Sequence, residues 1–327
     1  MRQRRLGATG LYVSHLALGT MGWGRDTDQE DAANQLRTFL ESGGNLVDTA
    51  DVYVNGESER ILGKLLATST RRDEVVLATK AGSRRGEERD RDASRRHLLD
   101  ALDASLERLG TDHVDLWQLH QWDPRTPLEE TLAALDAAVA SGRTRYVGIS
   151  NYSGWQTARA ATWQRAWPGR APICSTQVEY SLVQRGVERE VVPAALSLGI
   201  GLLPWSPLGR GVLTGKYQSG TPADSRGASK DYGRFIRPYL DERASRIVGA
   251  VLTAADGLGV SPLAVSLAWV RDRPGVVAPI VGARTAAQLK ASLEADATVL
   301  PDEIRTALDD VSEPDMGYPE APPPLAR

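Results

Sequence analysis

One cysteine, Cys174, stands in 327 residues. No intrachain disulfide can form, a zinc–thiolate cluster is excluded, and a reducing compartment is the natural setting. Histidine is almost as scarce. The four residues His15, His97, His113 and His120 show no metal-ligand spacing such as His-Glu-x-x-His, so no metal site is expected. Net charge is nearly absent: 39 Lys and Arg against 42 Asp and Glu leave −3, the wrong balance for a protein held to nucleic acid by phosphate contacts. No run approaches the roughly 20 consecutive apolar residues that cross a bilayer. Met1–Arg5 is basic with no apolar stretch behind it, unlike a secretory signal. A soluble, cytoplasmic protein with no membrane partner is expected. Phenylalanine is rare, two residues against eight tryptophans, which reads as a packing habit until a tryptophan is placed in a site.

What is present is a regular alternation. Hydrophobic residues make up 41% of the chain, enough to fill a large core. Arg4–Leu6 and Val13–Leu16 flank the turn signal Gly7-Ala8-Thr9-Gly10 and predict an N-terminal β-hairpin. Eight short apolar runs with strand character overlap its end or follow it: Leu16–Leu18, Leu46–Val47, Val75–Ala78, Val114–Leu119, Tyr146–Ile149, Thr176–Val178, Gly201–Leu203 and Val276–Val281. Helical periodicity lies between them. In Arg95–Leu109, residues Leu98, Leu99, Leu102, Leu106 and Leu109 recur at steps of three and four, ahead of a stop at Gly110; Leu128–Val139 repeats the pattern. Eight βα units in a chain of this length predict an α/β protein, a (β/α)8 TIM barrel forming one domain over 1–327. A doubly wound sheet fits less well, because no strand is followed by a Gly-x-Gly-x-x-Gly fingerprint. Two stretches interrupt the alternation. Residues 206–238, after strand seven, lack periodicity and read as a long loop or lid. From about 314, five prolines predict an extended C-terminal tail.

Active sites of parallel barrels sit at the C-terminal ends of the strands. Strand two runs into Asp48 and Tyr53, strand three into Lys80, strand four into His120. Singly, each has a structural explanation: a cap, a packing residue, a solvated strand end, a satisfied histidine. Together they converge from three adjacent strands. A phenol with a pKa of about 10 is a poor acid at neutral pH. An ammonium about 4 Å away is worth about 4 kcal/mol at an effective dielectric near 20, or up to about three pKa units. Asp48 would keep Lys80 charged and oriented, and His120 would donate to a substrate carbonyl oxygen. A Schiff base on Lys80, in a lyase or isomerase, is an alternative use of the same lysine. Trp205 beside Ser206 offers a flat face for a nicotinamide ring. The loop Gly282–Gln288 opens a helix, where free N–H groups attract phosphate and Arg284 adds a planar charged fork.

From Leu6 to about Val311 the chain resembles the aldo-keto reductases. Gly43-Gly44-Asn45-Leu46-Val47-Asp48-Thr49-Ala50-Asp51-Val52-Tyr53 is similar to the family's segment holding the catalytic Asp and Tyr, and Lys80 and His120 fall where its Lys and His fall. The resemblance implies a barrel plugged at the bottom by the hairpin, NADP(H) as cofactor, and a small-molecule aldehyde or ketone reduced to the alcohol. It implies Asp48, Tyr53, Lys80 and His120 as the catalytic set. For the cofactor it implies Gly19, Thr20, Met21 and Asp48 at the first strands, and Ser150, Asn151 and Gln177 at the carboxamide. By the same resemblance Trp205 would stack on the ring, and Ser206, Pro207, Leu208, Gly209 and Arg210 would form the diphosphate loop. It implies Lys216 and Arg226 as a clamp on the diphosphate, and Gly282, Arg284, Gln288 and Ser292 around the 2′-phosphate and adenine. Ser292 stands where the family often has Asn, Ala291 where Glu is common, and Val281 replaces a frequent Pro. Trp23, Val54 and Trp122, with the long loop, are expected as walls of the substrate pocket. Trp205–Lys216 and Arg226 also resemble potassium-channel β subunits, which leaves a non-catalytic, cofactor-bound redox sensor as the alternative. Those subunits tend to lack the active-site histidine, so His120 favours an enzyme.

Overall fold

A short antiparallel hairpin opens the chain, formed by β1 (Gln3–Arg5) and β2 (Tyr12–Ser14). The computed structural model describes residues 1–84, 90–218, 220, 222, 226–228 and 233–317. Eight further strands are β3 (Ala17–Gly19), β4 (Leu46–Asp48), β5 (Val76–Ala81), β6 (Val114–Leu119), β7 (Thr144–Ser150), β8 (Ile173–Glu179), β9 (Gly201–Trp205) and β10 (Ile280–Val281). They pair in parallel in the order β10-β3-β4-β5-β6-β7-β8-β9. The ring closes where Leu202 bridges Val276, and Val277 N–H donates to Leu202 O at 2.9 Å. This corrects the expectation of one eighth strand over 276–281. Pro279 has no N–H to give a ladder, so the run divides. Val276 and Val277 serve β9, whereas Ile280 and Val281 serve β3. The outcome is the (β/α)8 barrel.

Helices α1 (Gln29–Glu41), α2 (Glu57–Thr68), α3 (Arg95–Leu109), α4 (Leu128–Ala140), α5 (Gly154–Arg165), α6 (Val191–Ser197), α7 (Gly233–Ile236), α8 (Glu242–Leu258), α9 (Pro262–Arg271), α10 (Ala286–Glu294) and α11 (Asp302–Val311) make up the helical elements. Short polar side chains start six of them. Asp28, Ser94, Ser153, Asp241, Ser261 and Thr285 each accept an N–H from the first turn. Glycines stop α3 and α8, at Gly110 and Gly259, both left-handed. Among the described residues no single helix is long and apolar enough to cross a membrane; α8 and α9 pass such a test only as a pair bent by 103°.

One core lies between sheet and helices and a smaller one fills the barrel. In the smaller core, Leu6 and Val13 of the hairpin region pack with Ala17, Leu46, Ala78, Leu116 and Leu203. Ala8 N–H donates to Gly199 O at 2.8 Å, just before β9 begins, so the hairpin plugs the N-terminal end. Side chains alternate along a strand. Two residues beyond the inward Leu46, Ala78, Leu116 and Leu203 come Asp48, Lys80, Gln118 and Trp205, on the same face and nearer the open end. The long stretch 206–238 is less irregular than expected: its described part holds helical turns at Gly209–Thr214, Arg226–Ala228, Gly233–Ile236 and Arg237–Tyr239. Residues 312–317 carry no regular element, and 318–327 of the expected tail lie outside the described residues.

Candidate active site

The centre of the site is a buried ammonium with three oxygen partners. Lys80 Nζ donates to Asp48 Oδ2 at 2.7 Å, to Thr49 O at 2.7 Å and to the Tyr53 hydroxyl at 3.4 Å. Lys80, Asp48 and Tyr53 are 1%, 3% and 8% exposed. Burial opposes the ammonium charge, but Asp48, helped by Tyr53, outweighs it and holds the Lys80 pKa above its ordinary value. Asp48 Oδ1 accepts from Gln177 Nε2 at 2.8 Å and from Gln118 Nε2 at 3.3 Å. After β4 and the short stretch 49–52, Tyr53 opens a helical turn, Tyr53–Gly56, in which Val54 and Asn55 are left-handed at φ 49° and 55°. Such backbone costs about 1–3 kcal/mol per non-glycine residue and is least favourable for a β-branched one. His120 follows β6, its N–H donating to Ala81 O at 2.8 Å. Its ring meets Tyr53 edge-on, centroids 6.0 Å apart and planes at 82°.

The adjoining strand ends are tied together. Asn151, left-handed at φ 55°, donates from its side chain to His120 O at 2.9 Å and accepts from Trp205 Nε1 at 3.1 Å. Ser150 Oγ donates to Gln177 O at 2.8 Å. His120, Asn151 and Trp205 thus form one chain across the ends of β6, β7 and β9. Among the described residues, every non-glycine with positive φ (Val54, Asn55, Asn151, Ser206 and Arg210) lies in a loop after β4, β7 or β9. Strain gathers at this rim.

The residues expected around a dinucleotide separate into two groups. Met21 and Ser206 are half-buried at the rim, as is Leu208, while Lys216, Gly282, Arg284 and Gln288 are exposed. Gly209 is left-handed, and a Cβ there would come 2.6 Å from Val183 Cγ2, so the loop needs a glycine; Pro207 before it is buried. A Cβ on Gly282 would meet nothing nearer than Gly19 O at 3.7 Å. Packing does not demand glycine there, and the space above it is open. Gln288 Oε1 accepts from Arg284 N–H at 3.0 Å. The second group faces the protein. Gly19 would place a Cβ 2.7 Å from Ile280 Cγ2. Thr20 is buried and donates to Asp48 O at 3.2 Å. Buried Ser292 donates back to Gln288 O at 3.3 Å. Arg210 is gripped by both oxygens of Glu179 at 3.0 and 2.9 Å, donates to Phe235 O at 2.6 Å, and lies 5.5 Å from the Trp205 ring. The Arg226 side chain lies outside what the structure describes.

Of the expected pocket walls, Trp23 is a core residue instead: it is 1% exposed and its indole N–H donates to Gln35 Oε1 at 3.1 Å. Val54 is half-buried in the strained turn. Trp122 is half-buried and packs edge-on against Tyr152 and Trp155, centroids 5.2 and 5.4 Å away. Among the described residues no three His, Cys, Asp or Glu side chains are grouped to hold a metal ion. Sequence reading passed over three residues of the site: Thr49, which acts through its carbonyl, Glu179, and Gln118. Gln118 had a signal, since it sits two residues before His120 and two after the inward Leu116, on the same face of β6.

A family model, that of the aldo/keto reductase family, matches residues 15–313. The chain is 38% identical over 323 residues to a Bacillus subtilis protein named uncharacterized oxidoreductase YrpG, covering 95% of this chain and 96% of the relative. It is 34% identical over 326 residues to a probable voltage-gated potassium channel subunit beta of Arabidopsis thaliana, covering 98% and 99%. It is 32% identical over 326 residues to norsolorinic acid reductase of Aspergillus flavus, covering 95% and 81%.

Proposed function

The chain belongs to the aldo/keto reductase family, and from that premise we propose that it is an NADPH-dependent enzyme reducing an aldehyde or ketone to the alcohol. The observation that carries this reading is the placement of Lys80 Nζ between Asp48 and the Tyr53 hydroxyl, with the His120 ring edge-on to Tyr53. The oxidoreductase relatives support carbonyl reduction in general. The residues present also suit a dinucleotide. Gly282 leaves open space beside the start of α10, and Lys216 and Arg284 stand exposed at the rim. When bound, the reduced nicotinamide supplies the hydride. Ser150, Asn151, Gln177 and Trp205 would hold the ring end, Ser206–Gly209 and Lys216 the diphosphate, and Gly282, Arg284 and Gln288 the 2′-phosphate end.

The chain's own residues then manage the proton. His120 orients the substrate oxygen. Tyr53 donates its hydroxyl proton to that oxygen, and the adjacent ammonium of Lys80 stabilises the phenolate that forms. Asp48 keeps Lys80 charged and fixed. The raised Lys80 pKa runs against a Schiff base, which needs a neutral amine. The test is NADPH depletion over a panel of aldehydes and ketones, with wild type and Tyr53→Phe. Turnover should fall by about 10²–10⁴ in the variant while cofactor affinity, read by fluorescence quenching, persists. A Phe variant as active as wild type would overturn the assignment. Tight NADPH binding with no turnover of any carbonyl would mark the regulatory-subunit reading, which the Arabidopsis relative supports.

A further inference from the structure

The interior of a parallel barrel is normally filled by bulky apolar side chains. One layer below the site this barrel follows the rule, with Ala78, Leu116 and Tyr146. At the level of Lys80 it does not. The register there runs from Lys80 to Gln118 to Gly148 to Ser175. Gln118 is fully buried. Its Nε2 donates to Asp48 Oδ1 at 3.3 Å, while its Oε1 is sealed without a hydrogen-bond partner. A buried acceptor left unpaired is unfavourable, and a leucine would fill the same volume without one. The neighbouring strands make room for the amide: a Cβ on Gly148 would stand 3.2 Å from Gln118 Cγ and 2.3 Å from Ser175 Oγ.

We propose that Gln118 is a positioning residue for proton transfer, fixing the Asp48 carboxylate so that Lys80 stays set against the Tyr53 hydroxyl. The inference rests on the reductase reading. Asp48 Oδ2 belongs to Lys80 at 2.7 Å. Its rotation is therefore set by what holds Oδ1, and two amides do so, Gln177 at 2.8 Å and Gln118 at 3.3 Å. Gln177 pairs with Ser150 nearer the strand ends; Gln118 lies a layer deeper, level with Gly148. The charged groups around Gln118 are Asp48 from β4 and Lys80 from β5, with Tyr53 beyond Lys80. The adjoining residues of β7 and β8, Gly148 and Ser175, are neutral.

Two variants test this. Gln118→Leu removes the donor and keeps the volume. Its kcat should fall about ten- to a hundredfold, as expected of a small misplacement of catalytic groups, while KM and NADPH affinity stay within about twofold of wild type. Unchanged kcat, or a loss confined to KM, overturns the proposal. Gln118→Glu is isosteric. Protonated, the introduced carboxyl donates to Asp48 Oδ1; ionised, it repels it. The variant's kcat should decline as pH rises, along a limb absent from wild type and from Gln118→Leu, and a profile parallel to wild type counts against the role. A third measurement needs no turnover. Ultraviolet titration of Tyr53, taken as the difference from a Tyr53→Phe counterpart, should show its midpoint about one unit higher in Gln118→Glu than in wild type; no movement overturns the coupling. If wild type reduces no carbonyl, the reductase reading fails on its own, and this titration still decides the role of Gln118.

Discussion

Lys80 and Asp48 form a buried ion pair at 2.7 Å, and removing one partner of such a pair leaves the other charge uncompensated. Lys80→Met should abolish reduction and lower stability by about 3–5 kcal/mol. Combining it with Asp48→Asn should restore most of the stability and none of the activity. Denaturant midpoints and NADPH oxidation of the two single variants and the double variant check this. Asp51, three residues on, shows the reverse situation. Burial, and then Glu59, push its carboxyl up to about 7, and its Oδ1 has no hydrogen-bond partner. Because the folded value lies above the unfolded one, the native state binds the extra proton between about pH 4 and pH 7. Stability therefore falls as pH rises through that window. Asp51→Asn should raise the thermal transition little near pH 4, increasingly toward pH 7, and by a constant amount above it; melting curves across pH give the answer. Arg284 is exposed beside the start of α10. If it grips a 2′-phosphate by a charged hydrogen bond worth about 1.5–3 kcal/mol, Arg284→Ala should weaken NADPH roughly ten- to a hundredfold and leave NADH nearly unchanged. Equal losses for both cofactors, by fluorescence titration, would assign Arg284 elsewhere.

At the scale of elements, propensity and packing can be set against each other. Gly63 lies inside α2, where alanine would gain about 1 kcal/mol of helix propensity. A Cβ there, however, would stand 2.4 Å from Arg108 O and 2.8 Å from Leu109 C, backbone at the end of α3. Overpacking costs about 1–3 kcal/mol, so Gly63→Ala should destabilise, read as a lower denaturant midpoint with unchanged slope. The elements legible in the sequence were those with a local signal. The leucine pattern of Arg95–Leu109 and its Gly110 stop are both present. Asp48 ends β4, Lys80 is the last residue but one of β5 and His120 follows β6, so all three fall close to where the apolar runs stop. The eighth strand was less legible: the run 276–281 is apolar throughout, and only barrel closure divides it between two neighbours.

At the scale of the molecule, the plug must seat against a fixed surface. Gly7 is left-handed at φ 58°, and a Cβ there would come 2.5 Å from Cys174 O and 2.7 Å from Gly199 O. Gly7→Ala adds backbone strain of about 1–2 kcal/mol to an overpacking cost of about 1–3 kcal/mol, so unfolding should shift down by a total of that order while NADPH affinity of the folded protein is kept. Binding titration and thermal melting separate the two effects.

By itself the sequence determined the alternation of strands and helices, the hairpin, and the polar residues that end successive strands. These follow from periods of two and 3.6 residues, from caps and from glycines, all of them interactions between near neighbours. The tertiary structure decided which of those ends meet. Asp48 takes its partners from positions 32, 70 and 129 residues away, and Arg210 takes Glu179 from 31 residues away. It turned Trp23 into the core, and placed Gln118 level with Lys80 as a buried amide against the Asp48 carboxylate. No local pattern carries such pairings. They are fixed by the register between strands and by closure of the ring, which bring remote side chains to one level of one barrel.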